Sequence, residues 1–170
     1  MKKLFATEKE EGRRSSWYRR AINFWPCIWC TGSKITFCAA DFTELHVQLD
    51  LNLRTRNRVG TVFGGSIYSS IDPHFMLMFM EIMGREYVCW DKAASFKFLR
   101  PITGKVKCRF LVPLETIAKV KAEIAANGQC SFDMPLQYED DGGRAYAVFT
   151  KTIYVASKEF YKQKVKAKQD

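Results

Sequence analysis

Two adjacent glycines and one acid mark the stretch of this sequence best suited to chemistry. Gly64 and Gly65 open an apolar segment, and Asp72 follows about two helical turns later. Amides in the first turn of a helix have no intrahelical partner and lie at the positive end of its dipole. Because glycine has no Cβ, a ligand can approach these amides closely. The pattern predicts a site that polarises a carbonyl and offers Asp72 as general base or nucleophile.

Each of these residues also has a structural interpretation. The glycine pair is typical of close packing between a helix and a strand, and Asp72 directly precedes Pro73, where an acid often caps freed backbone groups. His74 is a candidate ligand contact beside the acid, although packed histidines are commoner. We expect Ser66 and Ser69 to face the substrate as helix-surface hydroxyls, since no serine–histidine–acid arrangement marks a nucleophile.

The six cysteines and two histidines do not indicate a metal site. Cys27 and Cys30 form a CxxC pair, but no second pair follows at zinc spacing. The pair follows a predicted helix rather than a strand, which argues against a thioredoxin-like redox site. We therefore expect no metal, and cysteines that pack among apolar side chains.

The net charge of +9 is concentrated at the two ends of the chain. Residues 1–20 carry +4 and residues 158–170 carry +3, which leaves +2 for the body. Such ends are usually solvated tails, so a nucleic-acid partner is not expected. A nucleic-acid or membrane-surface role through the basic termini is the alternative. The N-terminus has no apolar signal core and the longest apolar run is too short to span a bilayer, so we expect a cytoplasmic protein without a membrane span.

The elements around the glycines predict an α+β fold. A helix over 15–25 precedes two strands, and four more strands with one surface helix follow residue 84. We expect one helix over residues 65–83, kinked at Pro73. From Phe75 onward it is apolar on almost every face, which predicts burial on all sides. A buried helix in a mainly β chain implies a sheet curled around it. We expect residues 1–32 to be a helical extension, 33–157 the domain and 158–170 a basic tail.

Two local expectations concern individual strands. In the strand after the long helix, Trp90 and Phe96 share one parity, and Asp91 falls on the opposite, polar parity. In the fifth strand, Pro135 predicts an edge position or a bulge because proline cannot donate to a β-ladder.

Two segments of the chain resemble hotdog-fold thioesterase-like proteins. The resemblance is nearest to a bacterial subfamily in the branch related to phenylacetate-pathway acyl-CoA thioesterases, and the element order agrees over roughly residues 33–156. It implies a curved antiparallel sheet wrapped around a long central helix, and a thioesterase that needs no cofactor beyond the coenzyme A part of its substrate. The segments are Asn57-Arg58-Val59-Gly60-Thr61-Val62-Phe63-Gly64-Gly65-Ser66, continued by Asp72-Pro73, and Ser95-Phe96-Lys97-Phe98-Leu99-Arg100-Pro101-Ile102.

The resemblance also implies roles for particular residues. Asp72 corresponds to the acid that acts on the thioester, typically facing a helix start contributed by the partner subunit, and Asn57 is a further catalytic candidate. Phe63 stands where many relatives have histidine, which leaves a non-catalytic binder of acyl thioesters or fatty acyl groups as the alternative. The residues expected to contact the substrate, the last three at the phosphates of coenzyme A or a phosphopantetheine carrier, are Phe63, Thr61, Ser66, Ser69, His74, Arg58, Lys97 and Arg100.

We expect acyl-CoA or an acyl-carrier thioester as the partner molecule, and a homodimer or possibly a tetramer as the assembly. A sheet wrapped around one helix has open edges, and pairing equivalent edge strands across a two-fold axis covers them.

Overall fold

The computed structural model describes residues 5–167. One antiparallel sheet has the strand order β1-β2-β4-β5-β6-β3, so the predicted α+β class with an antiparallel sheet is confirmed. The helices and strands are, in chain order, α1 (Arg13–Phe24), α2 (Pro26–Thr31), β1 (Ser33–Cys38), β2 (Glu44–Leu49), α3 (Gly64–Ser69), α4 (His74–Met83), β3 (Tyr87–Phe98), β4 (Val106–Leu111), α5 (Leu114–Asn127), β5 (Gln129–Glu139), β6 (Ala145–Ser157) and α6 (Lys158–Lys166).

The core lies between the inner face of the sheet and the helices α3 and α4. Alternate residues of β4 are buried, as expected for a strand with one face on a core. In β2 the residues of both faces are mostly buried. The rings of Phe75 on α4 and Phe110 on β4 meet edge to face, 4.9 Å apart. This contact joins the helix to the middle of the sheet.

The long central helix of the sequence prediction is broken into α3 and α4. Residues 70–73 form a turn between them. In a continuous helix the ring of Pro73 would clash with the Ser69 carbonyl, and Pro73 has no backbone N–H to donate to it. Ser70 anchors the turn, since its hydroxyl bonds to the Tyr138 hydroxyl at 2.7 Å and donates to the Ile67 carbonyl at 2.9 Å. The interruption lies at the predicted kink, but the expectation of burial on all sides was wrong, since Met80 on α4 is 48% exposed.

A β-bulge in β3 overturns the expected parity of that strand. The register with β6 shifts between Asp91 and Ala93, with Asp91 opposite Ile153 and Ala94 opposite Lys151. The extra residue brings Asp91 and Ala94 to the same inner face, although they have opposite parity in the sequence. Trp90 is therefore on the outer face, where its ring stacks on Tyr154.

Pro135 lies in a part of β5 that has no partner among the described residues on its β4 side, as predicted for part of this strand. The strand β5 pairs with β4 only through Lys107–Glu139 and Cys108–Tyr138. Pro135 lies beyond this short ladder and opposes Thr150 of β6 on its other side. Its missing N–H therefore removes no bond to β4.

The segment before α1 packs against the outer face of β2. Glu44 is buried there, and its Oε1 accepts hydrogen bonds from His46 Nε2 at 2.7 Å and Arg109 Nε at 2.8 Å, while Thr7 donates to Oε2 at 2.9 Å. Burial raises the pKa of Glu44, but these hydrogen bonds outweigh it, so the pKa lies below its ordinary value. This polar cluster fixes the position of the segment before α1.

The cysteines divide into two groups. Cys38, Cys89, Cys108 and Cys130 are buried, as predicted. Cys27 and Cys30 are exposed on α2, so the expectation that they pack among apolar side chains was wrong. The reason is that Pro26 begins α2 instead of only ending α1, and α2 buries Ile28 and Thr31 instead of the cysteines. Within residues 5–167, no helix has the length and apolarity needed to cross a membrane.

Candidate active site

A groove at the start of α3 collects several of the predicted site residues. It has a volume of about 440 Å³, and Thr61, Gly64 and Arg100 line it together with Phe98 and Leu99. The loop before α3 is joined to the segment after β3 by a hydrogen bond from Val62 N to Ile102 O at 2.9 Å. The tertiary structure therefore brings together the two segments on which the family resemblance rests.

Phenylalanine rings contact both glycines at the helix start. The first backbone bond of α3 runs from Ile67 N to Phe63 O at 3.1 Å, so the amides of Gly64 and Gly65 precede it. The half-exposed Phe63 ring occupies the space that a Cβ on Gly65 would need, and a Cβ on Gly64 would lie 3.3 Å from Phe98 Cζ. Close packing by aromatic side chains thus accounts for both glycines, and of the two only Gly64 lines the groove.

Asn57 organises the loop that leads to the helix. Its Oδ1 accepts hydrogen bonds from the Val59 and Thr61 amides at 3.1 and 3.0 Å, and its Nδ2 donates to Thr61 Oγ1 at 2.9 Å. The turn also uses Gly60, whose φ of 85° is favourable only for glycine. Because the loop occupies the Asn57 side chain, a structural role fits it better than the predicted catalytic one.

Asp72 lies in an ion-pair cluster that the sequence did not predict. Lys151 Nζ lies 2.8 Å from Asp72 Oδ1 and 3.0 Å from Asp91 Oδ2. The lysine side chain is 1% exposed, whereas that of Asp72 is 47% exposed. The buried cation thus holds one oxygen of a carboxylate that is accessible to solvent.

Asp91, the more buried of the two acids in this cluster, has a raised pKa. Burial raises the pKa of Asp91, and its contact with Lys151 only partly offsets this effect. The Oδ1 atom of Asp91 is buried without a hydrogen-bond partner, which favours the neutral form further. Burial lowers the pKa of Lys151, but the two carboxylates outweigh it and the net pKa is raised. Lys151 therefore stays charged at neutral pH.

An aromatic row lies between the groove and the ion-pair cluster. Phe98 contacts Phe96 with ring centroids 5.2 Å apart, and Phe96 contacts Tyr68 at 5.4 Å. The ring of Tyr68 lies 5.8 Å from Lys151 Nζ. Within one chain, the helix start and Asp72 are thus at opposite ends of this row.

The remaining predicted site residues are placed in different surroundings. His74 is completely buried, donates from Nε2 to the Ser70 carbonyl at 3.1 Å, and packs edge to face on Phe110. Burial lowers the pKa of His74 to about 4, so the ring is neutral and suited to packing rather than to ligand contact. Ser66 is buried, whereas Ser69 is exposed, as are the proposed phosphate contacts Arg58 and Lys97.

Lys151 and Asp91 are the functional candidates that the sequence prediction missed. Lys151 was identifiable, because it interrupts an inward row of β6 that otherwise holds Ala147, Phe149, Ile153 and Val155. Asp91 had no such signal, since the bulge reverses its face. Among residues 5–167, no three His, Cys, Asp or Glu side chains are grouped to hold a metal ion.

The comparisons with known proteins agree with this architecture. The family model described as "Domain of unknown function (DUF4442)" matches residues 16–155. A structure from Pseudomonas aeruginosa, described as a probable thioesterase of unknown function, superposes with a TM-score of 0.73 and 14% identity over 84% of this chain and 95% of its own. A thioesterase from Haemophilus influenzae has a TM-score of 0.64 and 12% identity over 89% of this chain and 96% of its own.

A third structure, a mutant thioesterase from Pseudomonas aeruginosa, has a TM-score of 0.62 and 10% identity over 89% of this chain and 99% of its own. A search of curated proteins finds no match. At these identities the structural likeness establishes the fold. The chain has the hotdog fold of these thioesterase-like neighbours and belongs to the DUF4442 family.

Proposed function

We propose that this protein hydrolyses acyl thioesters, with Asp72 as general base or nucleophile and the Gly64 and Gly65 amides polarising the carbonyl. The observation that carries the proposal is the ion pair of Asp72, because a half-exposed carboxylate is held by a buried lysine at 2.8 Å. A carboxylate fixed in this way is preorganised to receive a proton from water or to attack a carbonyl carbon. The thioesterase names of the structural neighbours support the same reaction class.

The amides at the start of α3 supply the second part of the chemistry. Oxyanion stabilisation by preorganised backbone donors is worth roughly 2–4 kcal/mol in enzymes. The apolar residues of the groove, Phe98 and Leu99 among them, suit the acyl chain, and Arg100 at its rim suits a phosphate of coenzyme A or of a phosphopantetheine carrier. The coenzyme A portion then belongs to the substrate, and no further cofactor takes part. An aromatic acyl group, as in the phenylacetate-related branch, fits the phenylalanine lining.

We propose a homodimer that places the Asp72 of one subunit near the α3 start of the other. Two features support it. Among the described residues 5–167, β3 is the last strand of the sheet and pairs with β6 alone. Phe96 and Phe98 at its end, and Leu99 just after it, are exposed. Pairing β3 with its symmetry mate covers this edge. The same pairing bridges the aromatic row that separates the two parts of the site within one chain, and a cytoplasmic location fits acyl-CoA as the substrate.

The alternative is a protein that binds acyl thioesters without hydrolysing them. Phe63 favours it, because an apolar ring covers Gly65 where many relatives carry a histidine that orients substrate or water. The engagement of Asp72 with Lys151 also occupies one of its two oxygens.

Release of free thiol from short, long and aromatic acyl-CoAs separates the two candidates. We expect turnover by the native protein and a fall of about 10²–10⁴-fold in kcat for Asp72→Asn. Asp141→Asn, which changes an exposed acid paired with Lys107, is the matched control and keeps native turnover. Absence of turnover across the panel, with acyl-CoA binding retained in calorimetry, favours the binding protein. Equal turnover by native protein and Asp72→Asn removes the acid from the mechanism.

A further inference from the structure

The N-terminal helices expose an unusual concentration of aromatic side chains. Trp17 is 72% exposed, Phe24 82%, Trp25 60% and Trp29 53%. All four lie within 13 consecutive residues of the chain. We call these four residues, with Arg13 and Arg20, the aromatic–arginine surface. Isolated exposed apolar side chains are ordinary, but several large ones together mark an interaction site.

The residues of α1 in this surface form a single stripe. Arg13, Trp17, Arg20 and Phe24 follow one another at intervals of four, three and four residues, so they share one face of the helix. All four are exposed. Trp25 follows Phe24 directly, and the Trp29 amide donates to the Trp25 carbonyl at 2.9 Å. The stripe therefore continues across the corner between α1 and α2.

The opposite face of α1 is firmly attached to the domain. The side chain of Asn23 donates to the Ile35 carbonyl at 2.9 Å and accepts from the Ile35 amide at 2.7 Å. The rings of Tyr18 and Phe42 meet edge to face, 5.3 Å apart. The rings on the outer face are thus presented by a fixed helix.

The charges follow the same division between the two faces. Arg14 pairs with Glu81, and Arg19 pairs with Glu11 at 2.7 Å. Of the residues that the structure describes, none places a carboxylate within ion-pair distance of Arg13 or Arg20. The stripe therefore combines large aromatic rings with two arginines that form no ion pair within the described part of the chain.

We propose that the aromatic–arginine surface binds the headgroup region of an anionic lipid bilayer. Tryptophan and phenylalanine rings insert at the boundary between headgroups and acyl chains, and arginines beside them contact anionic headgroups. A second copy of the chain fits less well, because a two-fold contact on this stripe would bring Arg13 and Arg20 close to the same arginines of the other copy. Single-stranded nucleic acid needs a groove that follows its backbone, whereas these rings project from a corner between two helices. The proposal is independent of the hydrolase activity.

The experiment is co-sedimentation of the full chain with vesicles. One set is phosphatidylcholine alone, and the other contains about 30 mol% phosphatidylglycerol, which gives a negative surface potential. We expect binding to the anionic set that weakens with salt, and little binding to the neutral set. In a Trp90→Phe background the remaining tryptophans lie on the aromatic–arginine surface, and their emission should shift to shorter wavelength when anionic vesicles are added.

Two pairs of variants test which residues are responsible. Trp25→Ser with Trp29→Ser should weaken vesicle binding at least about tenfold, and serine suits the helix N-cap at position 25. Leu111→Ser with Leu114→Ser, which changes exposed apolar residues elsewhere, should keep native binding. Arg13→Gln with Arg20→Gln should weaken binding to anionic vesicles about fivefold per arginine. The control, Lys119→Gln with Lys121→Gln, removes two exposed lysines of α5 and should weaken binding less.

Several outcomes overturn the proposal. If the tryptophan variant binds vesicles as well as the native protein, the basic ends of the chain are responsible for the binding. If the arginine and lysine double variants lose vesicle binding equally, the binding depends on net charge and not on this surface. Absence of vesicle binding, with light scattering that shows a smaller assembly for the tryptophan variant, makes the surface a contact between copies. Binding of single-stranded oligonucleotide without binding of vesicles makes it a nucleic-acid surface.

Discussion

Replacing Lys151 by methionine removes the buried charge that holds Asp72 and leaves the packing volume nearly unchanged. Lys151 Nζ contacts Asp72 at 2.8 Å and Asp91 at 3.0 Å, with the lysine side chain 1% exposed. The two acids respond differently to this loss. Asp72 is half exposed and is screened by solvent, whereas Asp91 has a buried oxygen that already lacks a hydrogen-bond partner. The cost of the substitution therefore arises mainly at Asp91.

Removal of one partner from a buried ion pair costs roughly 3–5 kcal/mol. We expect about 3 kcal/mol at neutral pH, because Asp91 relieves part of the cost by taking up a proton. In a chain of this size that is a fall of roughly 6–12 °C in Tm. An acid whose pKa is raised on folding contributes stability at low pH and loses it as the pH rises through the folded pKa. The deficit of Lys151→Met should therefore shrink as the pH is lowered.

Urea unfolding at neutral and mildly acidic pH measures this deficit in four proteins. They are the native chain, Lys151→Met, Asp91→Asn and the double variant. The double variant should recover about half of the lost free energy, because asparagine leaves no uncompensated charge. Lys119→Met, at an exposed position of α5, is the control. A loss below about 1 kcal/mol for Lys151→Met, or no recovery in the double variant, would refute the reasoning.

Three further predictions follow from the packing around α3 and α4. Lowering the pH from 7 to 4 should cost the native protein ~3 kcal/mol more stability than it costs the His74→Gln variant. The pKa of His74 is held at about 4 against an ordinary 6.5, and each pKa unit is worth about 1.36 kcal/mol. This stability is lost as the pH falls below 6.5, and unfolding curves of both proteins at pH 7 and pH 4 measure it. Tyr138→Phe should cost about 1–2 kcal/mol in urea unfolding, since the Ser70 hydroxyl loses a buried partner at 2.7 Å; an unchanged midpoint would contradict this. Gly65→Ala should be destabilising alone and less so with Phe63→Ala, because the Phe63 ring fills the Cβ space; additive effects of the two substitutions in thermal unfolding would show that the ring is not the obstacle.

The periodicity of the sequence was sufficient to predict the strands and most of their order along the chain. The sheet runs from Ser33 to Ser157, and within the described chain the part of β5 around Pro135 is unpaired on its β4 side, as the proline implied. These predictions succeeded because alternation in a strand and the missing N–H of proline are local properties. The Gly64–Gly65 pair was likewise correctly placed at the start of a helix.

The site depended on contacts that the sequence does not encode locally. The bulge in β3 places Asp91 on the inner face, and a register shift depends on the partner strand rather than on the strand itself. Lys151 reaches Asp72 across 79 positions of the chain. Asn57 and His74 were candidates by residue type alone. In the structure the Asn57 side chain is engaged by hydrogen bonds within its loop, and His74 is completely buried.

The sequence by itself determined the α+β class, the antiparallel strands and the chemical identity of the candidate groups, because hydrophobic periodicity and turn residues act over a few neighbouring positions. Only the tertiary structure decided which groups meet. It joined Asp72 to Lys151 and Asp91, separated them from Gly64 by an aromatic row, and left the tryptophans of α1 and α2 exposed. The physical reason is that burial and ion pairing are properties of side chains brought together by sheet register and helix packing, which no short segment fixes.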